Sequence, residues 1–115
     1  MEKNDELYKL PDDIEVCEMQ LSDLNPAPYN PRKKLKPGDR EFEKLKKSIE
    51  TFGVVELIVV NADNDNTIVS GHQRFSVLEH LGKEKAKCLV VHLTEEKERE
   101  LNIAMNKIGG GLGPP

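Results

Sequence analysis

A strand that passes directly into a helix, over residues 68–75, constrains the fold more than any other feature of the chain. A short β-branched run ends at Ser70 and Gly71, and a helical pattern of apolar residues follows at once and stops at Gly82. The first amide groups of such a helix have no intrahelical acceptor and point outward at the positive end of the helix dipole. Gly71 allows an anion to approach this backbone closely, and three donor side chains crowd the first turn: His72, Gln73 and Arg74. The stretch therefore predicts a site for a phosphate or a carboxylate.

The charge of Arg74 supports this prediction but also admits a plainer one. A cation in the first turn opposes the helix dipole, so local stability gives no reason for Arg74 to be there. In the alternative, the stretch is an ordinary strand–helix junction, and Arg74 is solvated or paired with a nearby acid. One glycine is a weaker signal than a full glycine-rich phosphate motif, so the sequence leaves both interpretations open. His72 could serve as a phosphate donor or as a general acid or base.

Length and charge limit the range of functions. At 115 residues the chain is long enough for one domain with a modest core. Aromatic residues make up only 4% of it and tryptophan is absent, so the core must be aliphatic. The net charge of −4 is unlike that of an isolated, strongly DNA-binding domain. A nucleic-acid role would have to come from a local basic patch, a ligand-driven assembly or a partner domain.

The cysteines and histidines indicate a cytoplasmic protein without a metal site. Cys17 and Cys88 lie in apolar, strand-like runs and do not form a C-x-x-C pair, so we expect buried free thiols. The three histidines share no metal-ligand spacing with one another or with the cysteines. The sequence contains neither a signal peptide nor an apolar run that could span a bilayer, and we expect no contact with a membrane.

The hydrophobic pattern predicts a single α+β domain with a small mixed sheet and helices inserted between the strands. We expect strands near 14–20, 57–61, 67–70 and 87–92, and helices near 40–52, 71–81 and 95–107. A proline-rich irregular loop should cover 25–33, and a hairpin-like turn should cover 63–66. We interpret residues 1–12 as a loose leader, 13–108 as the domain, and the glycine- and proline-rich 109–115 as a flexible tail or a linker.

Two further polar positions could belong to a site. The proline-fixed loop aims Asn30 and Arg32 with little entropy to lose on binding, although it could also be an ordinary surface loop. Glu56 interrupts an apolar run, so its carboxylate must point either to solvent or to a site.

Two amides on the last predicted helix raise a similar question. Asn102 and Asn106 lie one turn apart, and they either direct amides toward a ligand or a neighbouring helix, or belong to an ordinary polar face.

Together these motifs resemble the N-terminal domain of the ParB/sulfiredoxin superfamily, also called ParB-like nuclease domains. The resemblance covers nearly everything from Ile14 to Ile108. Residues 25–33 resemble the first ParB box, and 70–78 match the family pattern of G-x-x-R followed by an apolar helix. Residues 101–108 look like the version at the front of phage and prophage DNA methyltransferases, where a ParB-like domain precedes the catalytic one.

The resemblance implies a pocket for nucleotide phosphates between the arginine loop, the G-x-x-R helix start and the last helix. The nucleotide is CTP in ParB clamps, ADP in an archaeal branch that phosphorylates serine, and ATP in sulfiredoxin, so a nucleotide with Mg²⁺ is the implied cofactor. The implied phosphate-binding residues are Asn30, Arg32, Ser70, Gly71, His72, Gln73, Arg74 and Asn106, with Asn106 near the metal or the triphosphate.

The chain also departs from the family. Sulfiredoxin needs a cysteine directly after the motif glycine, where this chain has His72, which argues against that activity. The full Glu-Asn-x-Gln-Arg box of ParB is absent, which argues against a CTP clamp. The helix-turn-helix domain that gives ParB its sequence-specific DNA binding is also missing from the sequence.

Two hypotheses of different classes follow. The first is a nucleotide- or anion-binding accessory module in phage or plasmid DNA metabolism, part of a DNA-modifying or partition protein. Its partners would be DNA, bound weakly by this chain alone, a methyltransferase or other DNA-binding domain, and a second copy in a homodimer. The second hypothesis is a small enzyme, either a nuclease or a nucleotide-dependent phosphotransferase or NTPase, with Glu56 as its catalytic base.

Overall fold

The structure is a computed structural model that describes residues 14–30, 35–53 and 56–111, with the backbone only at 108–111. This part of the chain forms one mixed sheet with helices on both faces. The strands are β1 (Glu15–Gln20), β2 (Asn25–Pro26), β3 (Ile58–Asn61), β4 (Thr67–Ser70) and β5 (Lys85–Val91). The helices are α1 (Arg40–Phe52), α2 (His72–His80) and α3 (Glu95–Gly111), and short 3₁₀ turns cover Leu21–Asp23 and Ala62–Asn64. The predicted α+β class with inserted helices is confirmed.

The sheet has the strand order β1-β5-β3-β4-β2. The β1–β5 and β3–β4 pairs are antiparallel, whereas β3–β5 and β2–β4 are parallel. The predicted turn between β3 and β4 is present, with Asp65 and Asn66 in the left-handed region at φ 51° and 52°. Asp and Asn tolerate this conformation better than most residues, which explains the acidic and amide run in the sequence. Ser70 leads through Gly71 into α2 without a loop, as the sequence predicts.

Alternation along the strands divides the core into two layers. Ile58, Val60 and Ile68 face α1 and α2 in the larger apolar cluster. Val59 and Val69 face the opposite side, where Leu101 and Met105 of α3 cover them. The sheet therefore lies between a helix pair and the single helix α3, and the site residues are carried at its edges and ends.

Two features differ from the prediction by more than a shift of one or two residues at an end. Within the loop predicted to be irregular, Asn25–Pro26 adds a two-residue parallel strand beside Thr67–Ile68. Pro26 can lie in this edge strand because the missing donor faces away from a partner. Helix α3 continues to Gly111, so the first three residues of the predicted tail are helical, although each glycine costs about 1 kcal/mol relative to alanine.

Some predictions fall outside the described residues. The leader at 1–12, Arg32 and the end of the predicted tail at 112–115 are among them. In the ranges that are described, no helix is long and apolar enough to cross a membrane.

Candidate functional site

The start of α2 has the backbone geometry of an anion site. Gly71 adopts φ 99° and ψ 20°, a left-handed conformation that favours glycine. A Cβ at this position would lie 3.1 Å from Nη1 of Arg74 and 3.3 Å from Cα of Ile58, so the space for a side chain is also tight. The first intrahelical hydrogen bond runs from the Phe75 amide to the Gly71 carbonyl over 2.9 Å. The amides of residues 72–74 therefore have no intrahelical acceptor and are available to a ligand.

Arg74 folds back over Gly71 and forms an ion pair with Glu56. Its Nη2 donates to Oε2 of Glu56, which lies in the bend just before β3. The Arg74 side chain is 21% exposed and that of Glu56 is 68% exposed. The fold thus brings together two residues that the sequence proposed separately, and Arg74 is paired with a nearby acid, as the plainer interpretation required. The ion pair and the unpaired amides at the start of α2 therefore lie side by side.

His72 is used as a hydrogen-bond acceptor. Its Nε2 accepts from the Ala27 amide over 3.0 Å, which ties the proline loop to the start of α2. Burial lowers the pKa of His72 from 6.5 to about 4, so the ring is neutral at pH 7. While this bond holds, Nε2 can neither donate to a phosphate nor act as a base. A contact from His72 to a ligand would have to use Nδ1–H.

The proline loop is anchored on two sides. Ala27 is bound to His72, and the Tyr29 hydroxyl donates to Glu98 of α3. The backbone N–H of Asn30 donates to the Ala27 carbonyl over 3.1 Å and closes a tight turn in this loop.

Asn102 and Asn106 attach α3 to the strand that ends at the site. Asn102 is 1% exposed, and its Nδ2 donates to the Val69 carbonyl over 3.0 Å. Nδ2 of Asn106 donates to the Asn102 carbonyl and to its Oδ1, over 3.0 and 3.1 Å. Asn106 therefore lies one helical turn beyond a residue that is bound next to Ser70. Ser70 and Gln73 are both partly exposed at this end of the sheet.

Sequence reasoning missed the buried carboxylate of Glu98. Glu98 is 0% exposed, and its Oε1 accepts from Nδ2 of Asn61 and of Asn64, over 2.9 and 3.0 Å, while Tyr29 donates to Oε2. All three donors are neutral. In sequence Glu98 is one of several acids in the first turn of a helix. Its spacing to the inward-facing Leu101 and Asn102 is the signal that could have identified it.

An open cleft of about 660 Å³ lies beside this carboxylate, at the end of α3 opposite to Asn106. It is bounded by the proline loop, the β3–β4 turn and the first turns of α3. The guanidinium of Arg99 lies over the Tyr29 ring at 5.1 Å from its centroid. Burial, followed by the hydrogen bond and charge of Glu98, raises the pKa of Tyr29, so the phenol stays protonated. Among the described residues, none of those predicted to bind phosphate lines this cleft.

Comparison with known proteins identifies the family. The family model for the ParB N-terminal domain matches residues 7–107. The chain belongs to this family. It is 30% identical to the probable chromosome-partitioning protein ParB of Campylobacter jejuni, over 84% of this chain and 34% of that protein. It is 32% identical to the stage 0 sporulation protein J of Bacillus subtilis, over 86% of this chain and 35% of that protein. The chain thus spans about a third of the length of these two relatives.

Solved structures agree on the fold. The C-terminally truncated ParB of Caulobacter crescentus, complexed with CTP-gamma-S, superposes with a TM-score of 0.70 at 25% identity, over 80% of this chain and 52% of that one. Sulfiredoxin of Arabidopsis thaliana superposes with a TM-score of 0.59 at 21% identity, over 76% of this chain and 96% of that one. The predicted ParB/sulfiredoxin resemblance is confirmed, whereas the phage methyltransferase context stays a prediction.

Proposed function

We propose that this ParB-family domain binds a nucleotide through its phosphates at the N-terminus of α2. The observation that carries the proposal is the left-handed Gly71, which precedes three helix amides without intrahelical acceptors and lies against the guanidinium of Arg74. Amides at a helix start and a forked cation form charge-assisted hydrogen bonds to phosphate oxygens. CTP is the first candidate, because the similar ParB of Caulobacter crescentus is complexed with CTP-gamma-S.

The Arg74–Glu56 pair is compatible with this role. An ion pair with a partner that is 68% exposed stabilises the fold by only about 0–1 kcal/mol. A phosphate that also receives the helix amides can therefore take the place of Glu56 at little cost. The remaining predicted residues would contribute from three elements: Asn30 from the proline loop, Ser70 and Gln73 from the strand–helix junction, and Asn106 from α3. Arg32, just beyond Asn30, would complete the set from the loop.

At the level of the whole protein, we propose an accessory module of a partition or DNA-modifying protein, in a phage or plasmid context. The relative from Campylobacter jejuni is named for chromosome partition. This chain spans about a third of the length of that protein and of the Bacillus subtilis relative. The net charge of −4 opposes the general attraction to DNA, so contact by this domain alone would be weak and sensitive to salt. Strong binding would come from a further domain, such as a methyltransferase, or from a homodimer.

Calorimetric titration with CTP, ATP and ADP, each with and without Mg²⁺, tests the nucleotide proposal. We expect one nucleotide to bind and inorganic phosphate to compete with it, because the contacts are to phosphate oxygens. The absence of binding by every nucleotide in the presence of Mg²⁺ would refute the proposal.

An enzyme on the same site is the second candidate, because the Glu56 carboxylate lies directly beside the proposed phosphate position. An enzyme should hydrolyse the nucleotide or cut DNA with Mg²⁺ and should lose this activity in Glu56→Gln. A binding module should retain the nucleotide unchanged over the same incubation.

A further inference from the structure

The two cysteines of the chain face each other across the sheet. Cys17 of β1 is the register partner of Cys88 of β5 in the antiparallel β1–β5 pair. Directly opposed residues in such a pair have Cα atoms about 4.5 or 5.5 Å apart. Both values lie within the roughly 4.4–6.8 Å that a disulfide bond spans. Both thiols are free, so the backbone already provides the separation that a cross-link needs.

The two side chains also lie on the same face. Residues directly opposite in an antiparallel pair point to the same side, and both cysteines pack into the larger apolar cluster. Their accessibility differs. Cys88 is fully buried, and its thiol donates to the Ala86 carbonyl over 3.6 Å, whereas Cys17 is partly exposed on the edge strand. A reagent from solvent therefore reaches Cys17 first.

We propose that Cys17 and Cys88 are a reversible redox site, in which a peroxide converts the two thiols into a disulfide bond between β1 and β5. The register pairing and the unequal exposure carry this inference, and it does not depend on nucleotide binding. The pair lies on the β1 edge of the sheet, away from the β4–β2 edge where the proline loop lies.

The reaction proceeds in two balanced steps. The Cys17 thiolate attacks one oxygen of hydrogen peroxide, the O–O bond breaks, and a sulfenic acid forms while the other oxygen leaves as water. The Cys88 sulfur then attacks the Cys17 sulfur, and the sulfenic oxygen leaves as a second water with the Cys88 proton. Two thiols are oxidised and one peroxide is reduced. Burial, followed by the neighbouring Cys17 charge, raises the pKa of Cys88 to about 11, so Cys88 is the resolving thiol and the partly exposed Cys17 is the one that meets the peroxide.

The cross-link would lock the edge of the sheet. Within the described residues, strand β1 pairs only with β5, so its attachment there depends on a single ladder of hydrogen bonds. A disulfide here closes a loop of roughly 70 residues, a length for which the loss of unfolded-state entropy is large. Oxidation should therefore raise the thermal midpoint of unfolding, by about 10 °C or more, and a dithiol reductant should return it to the starting value.

The test treats the folded full chain with hydrogen peroxide at low protein concentration and follows intact mass, free thiols and thermal midpoint. We expect the loss of two hydrogen atoms, no free thiol, a monomeric product and the higher midpoint. Cys17→Ala is the matched control, because it removes the partly exposed partner and leaves the buried one in place. It should show neither the mass loss nor the rise in midpoint under the same treatment.

Three results would overturn the proposal. One is that both thiols of the folded parent survive peroxide. Another is that Cys17 gains oxygen atoms to the sulfinic acid without joining Cys88. The third is that the disulfide forms only when denaturant is present, since the pair would then not be in bonding geometry in the folded chain.

Discussion

Glu56 and Glu98 differ in exposure and in the charge of their partners. This difference distinguishes a residue of the proposed ligand site from a residue that supports the loop beside it. Glu56 is largely exposed and pairs with the cation of Arg74. Glu98 is fully buried and is held by neutral donors, namely Tyr29 and two asparagines. An exposed ion pair breaks at little cost, whereas a buried carboxylate that loses its donors does not. The first is therefore suited to exchange its partner for a ligand, and the second to hold the loop that borders the site.

The largest effect should follow from Glu98→Ala. The substitution removes the acceptor of the Tyr29 hydroxyl and of Asn64, whereas Nδ2 of Asn61 keeps its second acceptor, the Leu93 carbonyl. Each buried group left unsatisfied costs about 1–3 kcal/mol. We expect the free energy of unfolding to fall by about 3–5 kcal/mol in chemical denaturation. Glu100→Ala, an exposed acid on the same helix that pairs with Lys97, is the control and should change it by about 0.5 kcal/mol or less. Equal losses in the two variants would mean that the network does not support the fold.

Glu98 also shows which part of the molecule a sequence can reveal. The strand–helix junction at Gly71 is visible because all its parts are neighbours in the chain, and the same holds for the turn at 63–66. The partners of Glu98 lie between 34 and 69 residues away in the sequence, so no local sequence pattern predicts them. The sequence allows an acid partner for Arg74 but does not identify it as Glu56, which lies 18 residues away. The sequence does not predict strand β2, because two residues, one of them a proline, carry no periodicity.

The second effect concerns the site itself. Removal of Arg74 should weaken nucleotide binding by about 1.5–3 kcal/mol, the range for hydrogen bonds to charged groups. Arg74→Lys should recover only part of this, since an ammonium cannot reproduce a forked contact. Titration calorimetry measures both variants, and Lys97→Ala, a charge removed from the exposed side of α3, is the control that should bind as the parent does. An Arg74→Ala chain that fails to fold would make Arg74 a structural partner of Glu56.

The third effect concerns His72, which links the start of α2 to the Glu98 network. His72 binds the proline loop at Ala27, and the same loop carries Tyr29, which donates to Glu98. The folded pKa of His72, about 4, lies below the 6.5 of an unfolded histidine, so the unfolded chain binds the additional proton. The stability that this residue contributes is therefore present above about pH 6.5 and is lost as the pH falls toward 4. After allowance for solvent at the partly exposed ring, we expect a loss of about 1–2 kcal/mol.

Other carboxylates titrate in the same range, so the measurement is the difference between the parent and His72→Gln. Denaturation midpoints at several pH values should fall more steeply for the parent between pH 6.5 and 4. Parallel curves would show that the ring is not held neutral by its position in the fold.

The smallest effect distinguishes the two proposed functions. In the free protein the Glu56 carboxylate is paired with the Arg74 guanidinium, which the phosphate would also bind. Glu56→Gln should therefore remove a competitor of the phosphate and strengthen nucleotide binding. The gain should stay below about 1 kcal/mol, because an exposed ion pair is worth no more than that. If Glu56 were instead a catalytic base, the same variant would bind as well or better but would lose all turnover of the nucleotide. Calorimetry and a phosphate-release assay on one preparation separate these results. Weaker binding by Glu56→Gln would contradict both, since it would mean that Glu56 holds Arg74 in the position that the ligand needs.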